Sequence, residues 1–374
     1  MKRLVVNLNK VLSIIYSWLI TRPTEIIRLI RHKDYYKCDS YYPEFNDRKR
    51  SSLQIFGDQL RAILKYGKTN KYYFSYGLDV KPRSEQDKYA NFDWFFKRVC
   101  HLNQSPTINC CCILRDKIMF NIFANGIGIN TPQNVLYSTN GQLFDYKTRK
   151  EITASALPVI GCNTLFCKLV DGECGRGIFR LSFSDGEVFI DEKKCLPQEA
   201  YSALTSGRYL AQTVITQHPK MAMLHPQSIN TLRIVTVRSL KDGIIRVWPS
   251  IIRIGTGSSI VDNTSQGGIC VGINFETAHL KQWGFYKPQF GRKTDRHPDS
   301  GIVFSDFEIP FLQDAVNQAI YFHSMLPGMQ SVGWDIAIGE DGPIFIEGND
   351  NWEINGPQIC NGGLKEMFVD QMFE

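Results

Sequence analysis

Three oxygen-bearing side chains near the C-terminal end, Asp335, Glu347 and Asn349, stand at a spacing that could hold a divalent cation. They belong to Ser331–Asn349, SVGWDIAIGEDGPIFIEGN, which reads as two short strands and a tight turn. Trp334, Ile336 and Ile338 alternate on one face, leaving Gly333, Asp335 and Ala337 on the other. Glu340-Asp341-Gly342 supplies turn chemistry. A three-residue turn pairs Gly339 with Pro343 and so Asp335 with Glu347; a two-residue turn makes the two acids diagonal neighbours. Asn349 shares the Glu347 face if the strand continues. Carboxylates opposed across a hairpin repel. Mg²⁺, which takes one or two carboxylates and lets substrate phosphates complete its shell, would remove that repulsion. The plain alternative is a surface hairpin with solvated acids.

Cationic and glycine-rich groups suited to phosphate lie upstream. Thr164–Val170 reads as a strand carrying Lys168 among apolar neighbours. Asp171–Gly177 follows, then a return strand over Ile178–Phe183. Gly172, Gly175 and Gly177 let the backbone approach a ligand and aim N–H groups at phosphate oxygens. No Gly-Lys-Ser/Thr and no helix follow, so this is neither a Walker A loop nor a dinucleotide fingerprint. Taken alone it equally reads as a hairpin turn.

In Leu114–Pro132, Asp116 can cap a helix whose apolar face is Ile118, Met119, Ile122 and Phe123, and Asn125-Gly126 can end it. Lys117 sits in the first turn, which the helix dipole disfavours, a hint that it has another partner. Asn230–Arg238 is a strong strand with Thr231 and Arg233 on one face, and Arg233 suits bidentate recognition of phosphate or carboxylate. Lys241-Asp242-Gly243 turns it into Arg246–Ile254. The polar loop DNTSQGG, residues 262–268, follows, then a strand over Gly272–Thr277.

The remaining segments must position these groups. Ser51–Tyr66 is expected to be a helix with Leu53, Phe56, Leu60, Ile63 and Leu64 at helical spacing, and Asp87–Cys100 another. Leu210–Pro219 is expected to end a helix and become a strand around Val214–Gln217, residues 281–304 to be a long loop, and Glu308–Met325 to be helical. His218, His225, His279, His297 and His323 fall at unrelated spacings and read as structural.

Composition bounds the function class. The chain of 374 residues, 43% hydrophobic and 21% charged, is ordinary for two or three globular domains. Its net charge of +6 resides in residues 1–50, with 11 Lys or Arg against 5 Asp or Glu, and the rest sums to zero. A neutral body argues against nucleic acid as a partner. Eleven scattered cysteines without a CxxC pair, and no secretory signal, point to reduced thiols and a cytoplasmic protein. Residues 1–33 are apolar and basic together; Lys10 and Arg22 bracket 11 residues, too few to cross a bilayer that needs about 20. Such a segment suits peripheral contact with the inner face of a membrane, or packing on the body.

The order of the pieces resembles the ATP-grasp superfamily: helix-borne Lys117, strand-borne Lys168 before a Gly-rich hairpin, Gln217, the Arg233 strand, DNxxQGG, then Asp335 and Glu347-x-Asn349. YFSYGLD, SINTLRIVT, DNTSQGG and GWDIAI-EDGP-FIEGN look most like its sugar-transfer-associated members. The resemblance covers residues 50–360 and implies an α+β ATP-grasp fold, two subdomains clasping ATP behind an N-terminal extension. The expected divisions are 1–50, 51–132, a lid at 133–213, and 214–374 with the metal site. The resemblance places Lys117 and Lys168 on the phosphates, Thr213–Gln217 along the adenine, and Mg²⁺ on Asp335, Glu347 and Asn349. Arg233 and Lys168 would serve the chemistry, and Asn263, Gln266 and Gly267 would touch substrate or phosphate. Gln217 stands where the superfamily commonly has a glutamate. The implied reaction joins a carboxylate, perhaps a sugar acid, to an amine through an acyl phosphate in polysaccharide synthesis. A phosphotransferase, or a scaffold for a membrane glycosyltransferase, are the competing readings.

Overall fold

In the computed structural model, residues 12–104, 109–160, 163–172, 175–287 and 289–372 are described. Expectations for residues 1–11 and for Cys162, Glu173 and Cys174 lie outside them. Two antiparallel sheets carry the architecture. The smaller runs β3-β2-β1-β8-β4-β5-β6-β7. Its strands are β1 (Asn134–Thr139), β2 (Gln142–Asp145), β3 (Glu151–Ile152), β4 (Thr164–Leu169), β5 (Phe179–Ser184), β6 (Glu187–Ile190), β7 (Lys193–Cys195) and β8 (Tyr209–Thr213). The helix Pro197–Thr205 covers one face, where Leu136, Leu165, Leu181, Ala200 and Leu204 are buried together.

The larger sheet runs β13-β12-β11-β10-β9-β14-β15. Here β9 is Thr231–Arg238, β10 Ile245–Ile254, β11 Ile269–Ile273, β12 Leu280–Phe285, β13 Lys293–Thr294, β14 Ser331–Gly339 and β15 Gly342–Asn349. Leu232, Ile234, Ile252, Val332, Trp334 and Ile336 point one way, against the helices Lys117–Gly126 and Leu312–Ser324. Period-two alternation sends Thr231, Arg233, Arg253 and Asp335 to the opposite face, where the site lies. His323 is buried in this core: its Nδ1 meets the Thr236 hydroxyl at 2.8 Å and its Nε2 the Met329 carbonyl at 3.1 Å.

The acidic hairpin has the shorter of the two turns considered above, yet keeps the acid pairing expected from the longer one. Gly339 pairs with Gly342, so the turn has two residues. Ile336 then pairs with Phe345, yet Asp335 pairs with Glu347, because Ile346 is an extra residue in a bulge. Gly333 opposes Asn349. A Cβ on Gly333 would stand 2.6 Å from that of Trp352, so the close approach of the loop after β15 demands glycine there.

Several local expectations are corrected. Helix Ser52–Tyr66 buries Ile55, Asp58, Gln59 and Ile63, while Leu53 is 80% exposed and Leu64 is exposed too. Polar anchoring decides the face: Asp58 accepts from Arg50, Tyr73 and Gln86, each at 2.7 Å, and Gln59 bonds the Asn70 backbone through both ends of its amide. The strand near 210 is β8, not Val214–Gln217; after Thr213 the chain crosses to the large sheet, where Gln217 bridges to Gly339. The helix after residue 308 starts at Leu312, because Phe311 is left-handed (φ +53°). The strand expected at Gly272–Thr277 is Ile269–Ile273, and the stretch 281–304 contains most of β12 and all of β13. Gly284 hid β12 from pattern reading: a side chain there would strike the Phe304 ring and Ile269.

An N-terminal layer, with helices Arg22–Arg31, Ser52–Tyr66 and Phe92–Leu102, adds an aromatic cluster of Tyr41, Tyr73, Phe74, Tyr76 and Tyr89. This packs on Ile251, Cys270 and Phe285 of the large sheet.

Candidate active site

The two sheets face a cleft of about 990 Å³, at the upper end of the range for small-molecule sites. Lys117, Lys168, Gly172, Gly175, Gln217, Arg233, Asn263, Gln266, Asp335, Glu347 and Asn349 all line it. The structure thus brings together eleven of the thirteen residues singled out. Gly177 and Gly267 are not among the lining residues. Both have positive φ, +71° and +99°, and act as turn residues.

A row of charged side chains crosses three strands of the large sheet. Arg233 on β9 stands opposite Asp335 on β14, which stands opposite Glu347 on β15. Arg233 grips Asp335 through Nε and, at 2.9 Å, through Nη2. Arg253, opposite Thr231 on β10, donates to the same carboxylate at 2.8 Å through Nη2. Thr231 holds Asp262 through its backbone N–H at 3.0 Å and through its hydroxyl, and accepts from Arg253 Nη2 at 3.0 Å. Burial opposes the Asp335 charge, but the guanidiniums of Arg233 and Arg253 outweigh it and hold the carboxyl below its ordinary range. The repulsion that suggested a metal is therefore relieved on the Asp335 side by two arginines.

Glu347 is left in a different state. Burial and then the Asp335 carboxylate push its carboxyl up, against the pull of Lys117 and Lys168. Lys117 Nζ lies 4.0 Å from Glu347 and donates to the Gly172 carbonyl at 2.6 Å. Asp116 caps the helix, accepting from Ile118 N at 2.9 Å and Met119 N at 3.0 Å, and pairs with Arg208 at 2.9 Å. Lys117 N also donates to Val170 O at 3.2 Å, tying the helix start to the end of β4. The partners of the Lys117 ammonium, which its first-turn position called for, are the Gly172 carbonyl and Glu347. Lys168 is buried on β4 and has no hydrogen-bond acceptor among the described residues. Burial pulls its ammonium down to about 8, with Glu347 opposing and Lys117 adding to the fall.

The Gln217 amide is fully engaged. Nε2 donates to the His225 and Ser228 carbonyls at 3.0 and 2.9 Å, and Oε1 accepts from the Asn230 side chain at 3.1 Å. What Gln217 offers a ligand in the cleft is its backbone. Asn263 accepts from Ser265 N at 3.1 Å and so shapes its own loop.

Sequence reasoning missed Arg253, Arg176, Arg180 and the Arg115–Asp350 pair, all lining the cleft. Arg115 binds Asp350 in bidentate fashion at 2.9 and 2.6 Å. Arg180 reaches from the small sheet to the Gln227 carbonyl at 3.3 Å. The signal for Arg253 was its alternation against the core residues Ile252 and Ile254; pairing it with Thr231 needed the β9–β10 register.

A hard divalent cation fits the donor set. Glu347 is flanked by Asn349, whose Nδ2 donates to it and to the Gly333 carbonyl, each at 3.4 Å, leaving the Asn349 amide oxygen without a donor among the described residues. No group of three His, Cys, Asp or Glu converges among the described residues. Two carboxylates and one amide oxygen suit Mg²⁺ once phosphate oxygens complete the shell. The Lys168 ammonium, without an acceptor among the described residues, supplies the matching demand for an anion.

Two antiparallel sheets closing on a cleft, with lysines from one side and an acidic hairpin from the other, define an α+β ATP-grasp fold. The family model for sugar-transfer associated ATP-grasp proteins matches residues 103–369, and the chain belongs to that family. Enzymes of the superfamily are ATP-dependent ligases that use a divalent metal ion. Similar solved structures include D-alanine–D-alanine ligase from Helicobacter pylori (14% identity, TM-score 0.39, 70% of this chain and 60% of that one). Another is N5-carboxyaminoimidazole synthase from Aspergillus clavatus, in complex with ADP and 5-aminoimidazole ribonucleotide (13%, TM-score 0.37, 64% and 44%). A third is N5-carboxyaminoimidazole ribonucleotide synthetase from Thermotoga maritima (14%, TM-score 0.33, 64% and 42%). The matched region spans less than half of these two synthetases, and the similarities assign no residue a role. No curated protein matches the sequence.

Proposed function

We propose that this chain is an ATP- and Mg²⁺-dependent carboxylate–amine ligase working through an acyl phosphate, with a substrate drawn from glycan synthesis. One observation carries the reading: Lys168, a buried cation with no acceptor among the described residues, faces the same cleft as the acidic hairpin. Lys168 and Lys117 bind the nucleotide phosphates, and Asp335, Glu347 and Asn349 hold the metal. The metal, when bound, neutralises charge building on the transferring phosphoryl group.

In the first step a carboxylate oxygen forms a bond to the γ-phosphorus and the bond to ADP breaks, ADP leaving with the electron pair. The amine nitrogen then attacks the acyl carbon. The C–N bond forms, phosphate leaves with the electrons of its C–O bond, and the proton lost by nitrogen passes to solvent. Arg233 and Arg253 orient the carboxylate and offset its charge. To reach the metal, Asp335 must loosen its grip on the arginines. Holding a metal would draw Asp335 away from Arg233 and Arg253, and the two guanidiniums would then be available to the substrate carboxylate. The Gly175 turn and Arg176 close over the phosphates. The sugar-transfer name of the family motivates sugar acids as first substrates to try.

Calorimetry of a non-hydrolysable ATP analogue, with and without Mg²⁺, tests the reading on the wild type and on Glu347→Gln. Mg²⁺-dependent binding lost in the variant is expected. Absence of binding to the wild type in every condition would end both this reading and a kinase reading.

The N-terminal helix suits peripheral contact with an anionic membrane. Trp18, Leu19, Ile20, Ile27 and Ile30 are exposed on it beside Arg22, Arg28 and Arg31, whereas Glu25 and Leu29 face the body. No helix among the described residues is long and apolar enough to cross a membrane. The full chain should co-sediment with anionic liposomes, and Trp18→Asp with Ile27→Asp should abolish this; equal sedimentation of both would sink the idea.

A further inference from the structure

The family match begins at residue 103, yet part of the cleft wall comes from before it. Tyr72, Ser75 and Phe96 line the cleft, as do Glu353 on the loop after β15 and Asn355 at the start of the helix Asn355–Asn361. This wall is rigidly held. Gln358, fully buried, donates to the Tyr76 hydroxyl at 2.9 Å and to the Ala90 carbonyl at 3.1 Å, and accepts from Ala90 N at 2.7 Å. The Tyr76 hydroxyl donates to Asn355 Oδ1 at 3.3 Å. Tyr72 stacks on Tyr76 with ring centroids 5.9 Å apart.

This end differs electrostatically from the charged row. Its Trp352 abuts Gly333, next to Arg233, so Glu353 stands beside the row rather than in it. The Glu353 carboxylate is exposed and accepts only from Asn355 Nδ2, at 3.3 Å, and has no ion pair among the described residues. Its field reaches the half-buried Tyr72: burial first, then Glu353 and Asp93, push that phenol well above its ordinary range. An uncompensated carboxylate beside aromatic faces is the chemistry that recognises an ammonium group.

We propose that Tyr72, Phe96, Glu353 and Asn355 form the subsite for the amine substrate, selecting a primary ammonium group carried on a small polar molecule. The assignment rests on the ligase reading, which requires a second substrate besides the carboxylate. It also makes the segment before residue 103, through Tyr72 and Phe96, share amine specificity with Glu353 and Asn355 of the family-matched body.

The test uses the full chain saturated with Mg²⁺ and a non-hydrolysable ATP analogue. Chemically matched pairs serve as probes: glucosamine against glucose, alaninamide against lactamide, ethanolamine against ethylene glycol. At least one amine should bind about tenfold more tightly than its neutral partner, and Glu353→Gln should erase that preference while nucleotide affinity stays within about twofold. Tyr72→Leu should weaken the same amine with the nucleotide again unaffected. Equal binding of amine and neutral partner, an unchanged preference in Glu353→Gln, or no amine binding at all overturns the assignment while leaving the nucleotide site standing. Failure of the wild type to bind nucleotide would instead remove the ligase reading, and this assignment with it.

Discussion

The two walls of the cleft are made on opposite principles. On the large sheet, Asp335 is paired twice with arginine, Arg253 is held by Thr231, and Thr231 is held by Asp262. On the small sheet, Lys168 has no acceptor among the described residues and the turn at Gly175 is left-handed, with nothing among them nearer than 3.8 Å to a side chain placed there. The Asp335 network is satisfied before any ligand arrives; Lys168 is satisfied only by an incoming anion. Preorganised charge belongs where bonds change, and unsatisfied charge belongs on the element that must close.

The comparison breaks most visibly at Arg233. Arg233→Met leaves the buried Asp335 with half its compensation and should cost about 3 kcal/mol in denaturant unfolding of the free protein. A loss under about 0.5 kcal/mol would mean that the large-sheet wall is not preorganised by this pairing.

Lys168→Met should behave in the opposite sense. Nucleotide affinity should fall about 100-fold by calorimetry, about 2.7 kcal/mol, while the free protein is unchanged or more stable. The pH dependence sharpens this. Because burial lowers the Lys168 ammonium from 10.5 to about 8, the unfolded chain binds the extra proton between those values. Wild-type stability relative to Lys168→Met should therefore rise from pH 8 to pH 10.5. A flat or falling difference would show that Lys168 already has a partner.

Arg253→Met removes a competitor for Asp335. Mg²⁺ affinity in the presence of the ATP analogue should rise about threefold to tenfold. A fall would place Arg253 on the phosphates instead and uncouple the arginines from the metal.

The smallest effect is expected at the lid turn. Gly175→Ala meets no steric obstacle but must adopt φ +76°, so it should cost about 1 kcal/mol or less in stability. Its signature should be slower closure, read as a lower association rate for the nucleotide.

What could be read from sequence alone followed the same division. The Asp116 cap and the Arg233 strand are local patterns, set by capping chemistry and alternation. The Asp335–Glu347 pairing needed the Ile346 bulge, and helix Lys117–Gly126 buries Phe120 and Ala124 while the expected face residues Met119 and Ile122 are exposed. Arg253 required a register, and Tyr72 and Glu353 required two segments some 280 positions apart to meet. β12 escaped because Gly284 breaks its apolar pattern for a packing reason that only the neighbouring Phe304 reveals. The face of helix Ser52–Tyr66 was misread because a buried acid and a buried amide, Asp58 and Gln59, outrank exposed leucines there.

The extra residue at Ile346 has a consequence of its own. A regular strand cannot show two consecutive side chains to the same solvent-filled space, yet Ile346 and Glu347 both border the cleft. The bulge thus gives the acid an oily next-door neighbour, a hydrocarbon surface for a base or ribose on the residue beside the proposed ion ligand. Because Phe345 and Glu347 already oppose Ile336 and Asp335, excising Ile346 would restore an ordinary ladder with every other pairing intact. Such a deletion separates grease from charge at a point where substitution cannot.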